Sequence, residues 1–220
     1  IHPVTPLGKI TVIVIILFGV GVFVSLVANA IEYLIEKREQ AERFKKLNMI
    51  VGVLFSEMGI RLLRVFGEKD PAIHEIRSAH VVSTTWSEAD FAHAFRQLER
   101  HSFAVISHDI DLPALREVMK RRREFMIRLL ENPELLEQEA FTEVIQALFH
   151  LNEELSVRER LADLPVTDYA HLSKDITRAY RHLALTWLHY MRHLKHHYPY
   201  LFSLAMRTNP FDADASPIVT

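Results

Sequence analysis

Five histidines near the end of the chain fall on one helical face. At about 100° per residue, His171, His182, His189, His193 and His196 project within roughly 60° of one another. His189 and His193 stand four apart, the spacing by which one helix offers two imidazoles to a divalent metal, and His196 follows one turn later. The same stripe would gain charge near pH 6 and could switch an interface. The plainer reading is a solvated polar stripe, because the spacing fixes no third ligand type. A second group, Glu139, Glu143, His150 and Glu153, spaces carboxylates and a histidine by four, seven and three residues. Di-metal helical bundles use Glu-x-x-His, and here the order is reversed. The basic run Lys120 to Arg123 offers charge to lipid headgroups or a phosphate, but Glu117 and Glu124 beside it favour a solvated helix face. There is no cysteine, no G-x-S-x-G and no H-E-x-x-H, so no enzyme is expected and no cofactor is required. The formal net charge of −2 gives no sign of a nucleic-acid partner.

The elements that must position these residues read as helices. All six glycines lie at or before Gly67. The rest of the chain therefore lacks the usual residue for hairpin turns and phosphate loops, and G-x-G-x-x-G is absent. Leu47, Ile50, Val51, Leu54, Phe55, Met58, Leu62 and Val65 recur at three- and four-residue steps, an amphipathic helix. Thr85 to Glu88 fits a capping box, while Asp111 with Pro113 and Asn132 with Pro133 mark two further helix starts. A last long helix is expected from about Thr167 to His196, its seam formed by Tyr169, Leu172, Ile176, Ala179, Leu183, Trp187, Tyr190 and Leu194. Tyr198-Pro199 ends it, and Phe211 to Thr220 reads as a loose tail. Short strands at His80–Thr85 and Phe103–Ser107 are a minor alternative.

At the other end, Ile10 to Ile31 carries no charge. A helix of that length covers the roughly 30 Å hydrocarbon core of a bilayer. Lys37, Arg38, Arg43, Lys45 and Lys46 follow the run, against Lys9 alone before it, which places the C-terminal side in the cytoplasm and the basic cluster near lipid. Ala28-Asn29-Ala30 outlines a signal-peptide cleavage site, but the apolar run exceeds the roughly 7 to 15 residues of such a signal. HPVTPLGK entering the run, Gly19 and Gly21 within it, and the basic exit together resemble the end of a potassium-channel pore. The resemblance implies a fragment beginning just after the selectivity filter, with potassium as permeant ion, in a homotetramer. It implies a hinge at Gly19 or Gly21 and a pore lined by Ile16, Val20, Phe23, Val24 and Val27. Ala28 stands where some members of that family carry a carboxylate ring. The gating ligand is not named by the sequence.

The expectation is thus an all-α chain with a transmembrane inner pore helix leading into a cytoplasmic helical bundle. Residues 1–9 form an extracellular post-filter loop, 10–35 the membrane helix, and 36–66 a basic then amphipathic connecting helix. Residues 67–207 form an all-α cytoplasmic domain, and 208–220 a flexible tail. The function expected from the resemblance is a potassium-channel subunit with a helical regulatory domain. The alternative is a single-pass membrane anchor carrying a helical metal- or pH-sensing module, with a divalent metal at His189, His193 and His196.

Overall fold

The computed structural model describes residues 4–77, 80–136 and 139–218. Ile1 to Pro3 of the expected 1–9 loop and the last two residues of the expected tail lie outside them. Among the described residues every regular element is helical and no strand occurs. The chain divides into two units, Ile1–Lys46 and Leu47–Thr220.

The first unit consists of most of α1 (Pro6–Leu54). Pro6 opens this helix where its missing N–H costs nothing, and the Thr5 hydroxyl accepts a hydrogen bond from Gly8 N–H at 3.2 Å. Among the described residues it is the one helix long and apolar enough, by length and composition, to cross a membrane.

The second unit begins at Leu47 rather than at 67, because the amphipathic segment that follows contributes to its core. Leu54, Phe55, Met58 and Leu62 are each at most 2% exposed. A π-helical turn, Phe55–Gly59, joins α1 to α2 (Ile60–Gly67). Gly59 is required there, since a Cβ would stand 2.6 Å from the Phe55 ring. Then come α3 (Ile73–Arg77), α4 (Glu88–Arg100), a 3-10 turn at Ser107–Asp109, α5 (Leu112–Arg121), α6 (Arg123–Leu130), α7 (Pro133–Leu136), α8 (Glu139–Ser156), α9 (Val166–His197) and α10 (Pro199–Arg207).

Helix α9 is the axis of this unit: α2, α4, α8, α10 and the 3-10 turn all pack on it. Its expected seam is in place, with Leu172, Ile176, Ala179, Leu183, Trp187 and Leu194 buried. The segment proposed as a strand at 103–107 is extended but lies along α9, where side-chain hydroxyls satisfy its backbone. Val105 N–H donates to Thr177 Oγ1 at 3.1 Å and Ser107 N–H to Ser173 Oγ at 2.9 Å. The capping box of α4 sits two residues later than expected. Ser87 and Asp90 exchange its bonds, at 3.3 and 2.6 Å, whereas Glu88 reaches His196 on α9 at 2.6 Å. Asp111 caps α5 as expected, accepting from Ala114 N–H at 2.9 Å.

The loose tail starts later than Phe211. That ring is 2% exposed and lies 5.1 Å from the Trp187 ring, and Asn209 donates to the His80 carbonyl at 2.8 Å.

Candidate metal centre

Helices α8 and α9 are the most extensively packed pair in the unit. Phe141, Val144, Ile145, Leu148, Leu151 and Leu155 bury one face of α8 at three- and four-residue steps. The connection returns the chain antiparallel, with Leu161 buried and Asp163 in the left-handed region at φ 57°. Aspartate tolerates that region better than most residues.

Antiparallel packing sets polar residues of the two helices opposite one another along one edge of the apolar seam. Glu143 faces His182 (3.3 Å), His150 faces Asp175 (3.6 Å) and Glu154 faces His171 (3.2 Å). The last two rungs converge. His171 Nε2 also lies 3.4 Å from Asp175 Oδ2, and His150 Nε2 lies 3.8 Å from Glu154 Oε1. Ligand atoms of Glu154, His171 and Asp175 fall within 4.8 Å of one another.

Asp175 is the centre of the group. Its side chain is 3% exposed, yet Oδ2 accepts no hydrogen bond. A carboxylate oxygen buried without a donor is costly, so such an atom asks for a cation. Arg178 approaches the other oxygen, Oδ1, at 3.4 Å, which leaves Oδ2 turned toward the two imidazoles.

Arg158 performs a similar task for Glu154. It donates to Glu154 Oε2 at 2.8 Å and grips Asp168 with two further bonds of 2.9 and 2.6 Å. The Arg158 hydrogen bond holds the Glu154 carboxyl below its ordinary range, and it does the same for Asp168. Glu154 is therefore ionised at neutral pH and oriented by a partner outside the cluster, as metal-binding carboxylates commonly are. The imidazole of His171 and the carboxylates of Glu154 and Asp175, with His150 beside them, make a donor set of the nitrogen and oxygen type that first-row transition ions take.

The histidines singled out from spacing alone are dispersed. His189 packs on the Phe95 ring at 4.2 Å, and burial lowers its pKa. His193 is 7% exposed, beside His197 with ring centroids 4.6 Å apart, and burial followed by the charges of His197 and His196 lowers its pKa to about 4. His196 is engaged by Glu88. No group of three potential metal ligands forms around these three among the described residues. Each is on the expected face, but α4 meets only His189 and His196, through Phe95 and Glu88, while His193 lies against His197 and Tyr198, so the stripe is split between aromatic packing and ion pairs.

Of the second sequence group, His150 belongs to the cluster, whereas Glu153 pairs with Arg123 at 3.1 Å and Glu143 with His182. Glu154 and Asp175 were not singled out. The signal for them is a repeated spacing, His150-x-x-x-Glu154 on one helix and His171-x-x-x-Asp175 on the next, each pair sharing a face at i, i+4. Arg122 and Arg123 of the basic run pair with Glu57 (2.8 Å) and Glu153, in keeping with a solvated face.

In the first unit Ile16, Gly19, Val20, Gly21, Phe23, Val24 and Val27 all lie in the exposed apolar stretch of α1, and a Cβ on either glycine would meet nothing within 4 Å. Lys37, Arg38, Lys45 and Lys46 are exposed, and Arg43 approaches Glu39 at 3.8 Å.

Residues 43–207 match the family described as the C-terminal helical domain of uncharacterized protein MJ1433. Uncharacterized protein MJ1433 of Methanocaldococcus jannaschii is 42% identical over 193 residues, which cover 88% of this chain and 77% of that protein. No solved structure matches.

These findings correct the potassium-channel resemblance. TPLGK before an apolar helix with two glycines is a short pattern, and small residues serve close packing in many membrane helices. Identity over 193 residues concerns nearly the whole chain. The hinge at Gly19 or Gly21, the lining by Ile16, Val20, Phe23, Val24 and Val27, potassium as permeant ion and the tetrameric pore rested on that resemblance and are not carried further. The chain belongs to the family of the MJ1433 C-terminal helical domain.

Proposed function

We propose that this protein is a membrane-anchored helical module that binds one divalent transition-metal ion between α8 and α9. The observation that carries the reading is Asp175 Oδ2, buried without a hydrogen-bond donor and faced by two imidazole nitrogens at 3.4 and 3.6 Å. Glu154 completes a mixed nitrogen and oxygen set, and the arginines that hold the carboxylates lie outside it. Anchoring is supported by the uncharged run Ile10 to Ile31, and a cytoplasmic metal-binding unit by the basic residues that follow it.

Calorimetric titration of the full chain in detergent with zinc tests this directly. One ion per chain is expected, with binding abolished in Asp175→Asn. That variant keeps the side-chain shape while removing a buried charge, so its metal-free stability should stay within about 1 kcal/mol of the parent. Equal zinc affinity in parent and variant would refute the assignment.

A further inference from the structure

We propose that a recess of the second unit, lined by the last residues of α1 together with α9 and α10, binds one neutral, single-chain lipid-like molecule with a hydroxyl head. None of the residues of the α8–α9 cluster lines it, so this site goes beyond the metal-binding reading and does not depend on it. The recess follows from local sequence. Tyr198-Pro199 breaks the helical run, and α10 begins at Pro199 and packs on α9. On the facing helix Gly52 admits the Tyr190 side chain, since a Cβ there would stand 2.6 Å from the Tyr190 hydroxyl. Tyr190 in turn stacks on Phe55, with ring centroids 5.6 Å apart and planes at 22°. The cavity these residues line has a volume of about 500 Å³, inside the roughly 300 to 1,000 Å³ range of small-molecule sites.

The chemistry of the lining selects the occupant. Charged residues make up 25% of the chain, yet no Asp, Glu, Lys or Arg is among the described residues that line the cavity. Its one histidine, His193, is kept uncharged at neutral pH chiefly by burial. An ionic ligand would lose its hydration there without gaining a counter-charge, which is costly. Phe55, Trp187 and Tyr190 offer aromatic surface to an apolar chain instead. Two hydroxyls on the lining set the head group. Ser56 donates to the Val53 carbonyl at 3.0 Å and Thr208 to the Leu204 carbonyl at 3.1 Å, so each has spent its proton and keeps oxygen lone pairs for a donor.

The mouth is apolar as well. Met49, Val53, Tyr200, Leu201 and Leu204 all line the cavity and are all between 39% and 72% exposed. Large apolar side chains gathered at one opening, rather than scattered singly, mark a surface that a ligand or partner covers. A flat protein surface would cover this mouth and leave the cavity beneath it unfilled. One long apolar chain ending in a hydroxyl fills the cavity and covers the mouth. The membrane anchoring proposed above would bring such molecules near, but binding itself does not require it.

Trp187 in the cavity wall is the reporter. The chain has two tryptophans, so Trp86→Phe leaves Trp187 as its only indole. The full chain with that substitution, in phosphatidylcholine vesicles, is titrated with a dibrominated octadecanol, whose bromines quench indole fluorescence on contact. Saturable quenching at one alcohol per chain is expected, reversed by unbrominated octadecanol. The matching dibrominated stearate should bind at least about 10-fold more weakly, because its carboxylate meets no cation. Leu204→Arg and, from the facing helix, Val53→Arg each place a charge at the mouth from a half-exposed position that the fold tolerates, and each should weaken the alcohol about 10-fold. No quenching, quenching that grows with the alcohol without saturating, or equal affinity in the parent and both arginine variants would overturn the site. Equal affinity for the stearate would overturn the neutral class of ligand. No arm involves zinc, so failure here leaves the metal reading where it stands.

Discussion

At the level of single residues, the cluster and the dispersed histidines illustrate two fates of a polar group at a helix interface. Asp175 is buried with Oδ2 unfilled, whereas His193 is buried and held neutral. Burial, with the charges of His197 and His196, brings the His193 pKa to about 4 from an ordinary 6.5. Because the folded value is the lower one, the unfolded chain binds the extra proton first as pH falls. Stability is full above about 6.5 and declines through the window down to about 4. His80, also lowered chiefly by burial, acts in the same direction. Thermal melts of parent and His193→Phe between pH 4 and 7 should show the parent losing stability more steeply; parallel curves would remove His193 from that role. The sequence made His193 visible as a helical-face histidine, but its surroundings were not legible. They come from α10 and the residues around Tyr198, whose ring lies 5.7 Å from it.

At the level of elements, helices were legible wherever a periodic apolar face met a cap or a proline. Asp111 with Pro113 gave α5, and the Tyr169 to Leu194 seam gave α9 nearly to its ends. Competing caps were not separable by spacing. Thr85-x-x-Glu88 and Ser87-x-x-Asp90 both fit the pattern, and the second wins because Glu88 is drawn to α9 by Arg192 and His196. Ser87→Ala should therefore cost about 1 kcal/mol and Thr85→Ala less than about 0.5 kcal/mol, measured by thermal or denaturant unfolding. A larger loss at Thr85 would reverse the assignment. The candidate centre was half legible for a related reason. His150 and His171 were noted as members of other groups, but their acidic partners at i+4 acquire meaning only when α8 is known to lie antiparallel to α9, a tertiary fact that no local pattern encodes.

For the whole molecule, the division at Lys46 and Leu47 separates an exposed apolar helix from a unit with its own core. The full chain should stay with membranes through alkaline carbonate washing, whereas residues 47–220 should be released; release of the full chain would count against anchoring. The apolar run was plain in the sequence. The channel reading built on it failed because it drew on about forty residues, while family membership is carried by the helical unit at 43–207. In that unit the buried carboxylate between two imidazoles is the feature on which the proposed function depends. Its most direct test is the metal content of the full chain, expressed without a polyhistidine tag, purified in detergent and equilibrated with a slight excess of zinc before gel filtration. One zinc per chain, lost in Asp175→Asn, is the predicted result. No retained zinc, or zinc retained equally by Asp175→Asn, would contradict it.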